Sequence, residues 1–73
     1  MAEFSSAQWH EVVHAVSILQ DMLQRHVSEA APVLGSRKIR RHVGAIADEL
    51  GALYQEAAAK MDKAAKREEA SHG

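Results

Sequence analysis

Two short stretches of this 73-residue chain carry side chains that could do chemistry. The first is HEVVH at residues 10–14, two histidines four apart with a carboxylate beside the first. On a helix that spacing aims both imidazoles at one side, where they can share a zinc ion while the glutamate activates water. A zinc site needs three or four ligands, and only Glu11 or Asp21 stands near enough in sequence to add one. Hydrolysis on zinc also needs a substrate cleft, which a few helical turns do not build. No metal, cofactor or catalytic residue is therefore expected, and no Ser/His/Asp arrangement or phosphate-cradling glycine loop can be assembled elsewhere.

The second stretch is GSRKIRRH at residues 35–42. Gly35 and Ser36 open what reads as a helix, and Arg37, Lys38, Arg40 and Arg41 crowd its first turns. The amino end of a helix carries the positive pole of the macrodipole and favours anions. The carboxyl pole of a preceding helix, with Glu29, can offset part of this charge. The remainder is either a solvated surface or an anion site, in which amides from Gly35 to Lys38, the Ser36 hydroxyl and two or three guanidinium groups suit an acidic protein patch or a phosphate. Arg40 should flank the apolar seam, while Arg37, Lys38 and Arg41 face water. No aromatic side chain interleaves the cations, so stacking on single-stranded nucleic acid has little support.

These residues have to be positioned by helices. In FSSAQW, Ser5 caps with Gln8 reaching back, and Phe4 and Trp9 stand where a hydrophobic staple requires them. Trp9, Val12, Val16, Leu19 and Leu23 then recur at three and four, with His26 and Ala30 continuing the seam. Val13 and Val27 widen it on one side, Ala15 and Met22 on the other, giving a stripe broad enough for more than one neighbouring helix. Ile18 falls outside the stripe and is expected to be partly exposed, as a possible extension of a contact surface. Pro32 and Gly35 break the pattern, with Ala31 forced out of helical geometry and Gly35 as a left-handed stop. Ile39, Val43, Ile46, Leu50, Leu53, Ala57, Met61 and Ala64 form the seam of the next helix. Gly44, Gly51 and Ala58 stand seven apart on another face with almost no bulk, which suits close approach by a second helix or a partner.

The expected organisation is a single domain: a cap segment 1–5, helix 6–31, turn 32–36, helix 37–66 and a frayed tail 67–73. At about 1.5 Å per residue the helices are about 38 and 45 Å long. Their short connection predicts an all-α antiparallel two-helix hairpin. Two helices leave half of each stripe wet, so the hairpin is expected to dimerise into a four-helix bundle over Val12, Val16, Leu19, Leu23, Val43, Ile46, Leu50 and Leu53.

Composition sets the remaining bounds. The chain has no cysteine, few glycines and prolines, and 47% apolar residues, which is a globular helical composition and not a disordered one. Net charge is −1, with no overall pull toward nucleic acid. Residues 1–34 hold one cation against four anions, net −3, and residues 35–73 hold eight against six, net +2, so the halves are complementary. No apolar run approaches the roughly 20 residues of a membrane span, and the start lacks a signal-peptide pattern, so a cytoplasmic location is expected. These features predict a small non-enzymatic protein acting as a regulator, inhibitor or adaptor by binding a partner protein. The alternative is a nucleic-acid or nucleotide binder through the basic cluster. The expected architecture resembles in shape the small dimeric helical-hairpin RNA-binding regulators of plasmid copy number, with which it shares no sequence motif.

Overall fold

A computed structural model describes residues 3–72. The described residues are 88% helical and contain no strand. Helix α1 (Ser6–Met22) starts as its sequence predicts. Ser5 Oγ accepts from the Gln8 amide at 3.1 Å, and Gln8 Oε1 accepts from the Ser5 amide at 2.8 Å. Phe4 meets Trp9 edge-on, with ring centroids 6.0 Å apart.

The expected continuous helix to residue 31 does not form. Leu23–Val27 wind as a π-helical turn, in which the Ser28 amide donates to the Leu23 carbonyl at 2.8 Å. A short helix α2 (Ala31–Leu34) follows. Pro32 lies in its first turn, where a missing N–H costs nothing, so the extended residue is Ala30 and not Ala31. Gly35 ends α2 with φ −85°, not in the left-handed conformation expected of it. Its amide reaches the Ala31 carbonyl at 3.0 Å in ordinary right-handed geometry, so no positive φ is needed.

Helix α3 (Arg37–His72) runs through the segment expected to fray, so the molecule pairs one long helix with a shorter one. The chain folds back on itself, bringing residue 6 to residue 68 at one end while Leu23 and Ala47 share a groove near the turn. Glu68 holds the far end, accepting from the Ser6 amide at 2.7 Å and from the Ser6 hydroxyl at 2.6 Å. Beside it Arg67 donates to the Phe4 carbonyl at 3.0 Å and pairs with Glu3 at 3.4 Å. These partners, more than sixty residues away in sequence, order the end that looked unsupported.

The core is narrow. Val16, Ala57 and Ala64 are buried, and Trp9, Val13, Gln20, Leu23, Val43, Leu50, Met61 and Glu68 are half-buried along the same junction. On α1 the residues facing α3 are therefore Trp9, Val13, Val16, Gln20 and Leu23. Val12 and Leu19 drop out of the expected seam, as do Ile46 and Leu53 on α3, because a single partner covers only one side of so broad a stripe. The π turn accounts for a further difference. Its extra residue turns His26 and Val27 away from the helix junction, so His26 is exposed where a seam position was expected.

Candidate interaction surfaces

The basic cluster occupies the turn end of the molecule. Arg40 is drawn back across the turn, where its Nη1 donates to the Leu34 carbonyl at 3.1 Å. That carbonyl closes α2, so the carboxyl pole of the preceding helix does offset one cation, through α2 and not through α1. Ser36 Oγ accepts from the Ile39 amide at 3.3 Å and caps α3, which uses the hydroxyl expected for an anion. Arg37, Lys38 and Arg41 are exposed and make no hydrogen bond or ion pair among the described residues. Glu29 is exposed as well and makes no ion pair among them. What remains at this end is three free cations projecting from a helix start, with the Arg37 and Lys38 amides beside them.

The second surface is apolar. Leu19, Met22, Leu23, His26, Val27, Ile46 and Leu50 line one open groove between the helices near the turn. Seven residues from Leu19, Val12 continues this side of α1 into a patch shared with Phe4, Gln8 and Trp9. Seven residues from Ile46, Leu53 continues it along α3. Leu19 and Ile46 are each 51% exposed, Met22 52%, Ile18 47% and Leu53 44%. Of the eight expected core residues, Val16 is buried and Leu23, Val43 and Leu50 are half-buried within the helix pair, whereas Val12, Leu19, Ile46 and Leu53 stay exposed. Sequence periodicity underrated Met22 and placed Val27 on the wrong side. A shift of phase at residue 23 leaves no signature in the apolar pattern.

The remaining candidates are dispersed. Gly44 and Gly51 have no atom within 4 Å of where a Cβ would stand, so α1 does not make the close approach they could permit. His10 and His14 stack in parallel at exposed positions of α1, centroids 6.5 Å apart, with His10 lining an open groove beside Met61, Asp62 and Ala65 of α3. Among the described residues no group of three or more His, Asp or Glu side chains could hold a metal ion. No helix among them is long and apolar enough to cross a membrane. Comparison with family models, curated proteins and solved structures returns no match.

Proposed function

We propose that this chain is a small non-enzymatic interaction protein, a regulator, inhibitor or adaptor. In this reading an antiparallel hairpin of α1 and α3 dimerises into a four-helix bundle that presents basic ends to an acidic partner protein. The observation that carries the reading is the uncovered apolar side. The chain exposes 5889 Å², whereas a folded monomer of 8.0 kDa exposes about 4,450 Å². The excess of about 1,400 Å² is larger than the ~800 Å² that one partner contributes to a standard stable interface. The radius of gyration, 16.4 Å, also exceeds the ~11 Å of a compact domain of this length. A second copy covering Val12, Leu19, Ile46 and Leu53 accounts for both.

Arg37, Lys38 and Arg41 supply the recognition, since no side chain among the described residues pairs with them. Free guanidinium groups suit carboxylates or phosphates, and the sparse amides at Arg37 and Lys38 make a weak phosphate cradle, which favours acidic protein. Two measurements test the reading. Analytical ultracentrifugation at micromolar concentration should find a dimer, and Leu19→Asp should abolish it; a folded wild-type monomer overturns the assembly. Calorimetry should show binding to a glutamate-rich peptide that weakens in Arg37→Glu with Arg41→Glu, more at low salt than at high. Tighter, salt-steep binding to RNA instead would transfer the cluster to the phosphate alternative.

A further inference from the structure

Once the residues facing α3 are set aside, α1 retains a second seam. Val12, Ala15, Leu19 and Met22 repeat at three, four and three, and all are exposed. Glu11 and Ile18 flank this seam, seven residues apart. Its two halves differ in bulk, with the smaller Val12 and Ala15 in the first and the larger Leu19 and Met22 in the second, and Ile18 beside the midpoint. We infer that α1 is the central contact of the dimer, packing antiparallel against the partner's α1 about a two-fold axis that passes close to Ile18. This inference rests on the homodimer proposed above and specifies its geometry.

Packing volume selects the direction. With antiparallel helices, Val12 meets the partner's Met22 and Ala15 meets the partner's Leu19, so every layer pairs a smaller side chain with a larger one. With parallel helices, Ala15 would face the partner's Ala15 and leave a void, while Met22 would crowd the partner's Met22. Interiors tolerate neither voids nor overpacking well. Self-complementarity of this kind is the property of an isologous interface, in which one patch meets its own copy. A second copy supplies the bulk that the smaller half lacks, and the area one chain leaves exposed exceeds what a stable interface needs. The same geometry gives Ile18 a role, since it then lies against the partner's Ile18 instead of standing alone in water.

Pulsed electron paramagnetic resonance on the full chain tests this. The chain has no native cysteine, so Ile18→Cys and Ala7→Cys each give one labelling site per copy, both at exposed positions. Helices 8–10 Å apart should bring the labels at position 18 within about 15 Å of each other. The labels at position 7 should be separated by about 30 Å along the axis at ~1.5 Å per residue. Short distances at both positions mean parallel helices, and a long distance at position 18 means a dimer built elsewhere; either overturns this interface while leaving the homodimer standing. No intermolecular distance at either position, with a monomer in sedimentation, overturns the homodimer and this interface with it.

Discussion

The two ends of the molecule are fastened by charged side chains of different kinds. At the turn, Arg40 covers the last carbonyl of α2. At the other end, Glu68 takes both donors of Ser6 at the positive pole of α1, where a carboxylate is favoured. Hydrogen bonds to a charged group contribute about 1.5–3 kcal/mol, and these are partly shielded from water. Glu68→Ala should therefore lower stability by about 1–3 kcal/mol in urea denaturation, and it should speed amide exchange in the first turn of α1. Loss of less than a few tenths of a kcal/mol would show that this contact is incidental. Neither fastening was readable in the sequence. Glu68 sits in a charge-rich tail that resembles any solvated helix end, and its partner lies 62 residues away. Local features fared better: the Ser5–Gln8 reciprocal cap and the Phe4–Trp9 contact are set by neighbours a few residues apart, and such contacts survive whatever the rest of the chain does.

Among the elements, α3 is long and carries two glycines, Gly44 and Gly51, at which an added Cβ would meet no atom within 4 Å. Glycine inside a helix costs about 1 kcal/mol against alanine. Gly44→Ala and Gly51→Ala should each stabilise the fold by about 0.5–1 kcal/mol, read as a raised urea midpoint at unchanged slope. If either substitution instead weakens binding of the acidic partner, that face of α3 is where the partner approaches. The apolar periodicity marked the two segments that form α1 and α3, because the 3.6-residue repeat is a direct consequence of one-sided burial, but it carried the first helix past Met22 and placed its break at Pro32, which lies inside α2. It did not assign which half of each broad stripe faces the other helix. Val12 and Val13, or Leu19 and Gln20, differ by one position, and only the presence of α3 decides that Val13 and Gln20 turn inward. The π turn was invisible for a related reason: its cause is the geometry of the backbone at Leu23–Ser28, and no residue there is diagnostic of it.

As a whole the molecule is a rod of 56 × 18 × 17 Å, with three buried hydrophobic side chains among the described residues. In the proposed dimer a chain so thinly cored would gain stability from association, and stability gained by association depends on concentration. The melting temperature should rise by about 3–6 °C for each tenfold increase in protein concentration, followed by circular dichroism. A concentration-independent transition would mean that the rod stands alone. The contact between Ser6 and Glu68 has a kinetic counterpart. Joining those two residues directly closes a ring of nearly the whole chain, and ring closure is slow and entropically costly in proportion to the logarithm of its length. Pairing that starts at Gly35 and spreads outward avoids the ring, since each new contact then closes only a few residues. On that route the Ser6–Glu68 contact forms last and opens first, so the termini breathe together as one unit while the turn end stays closed.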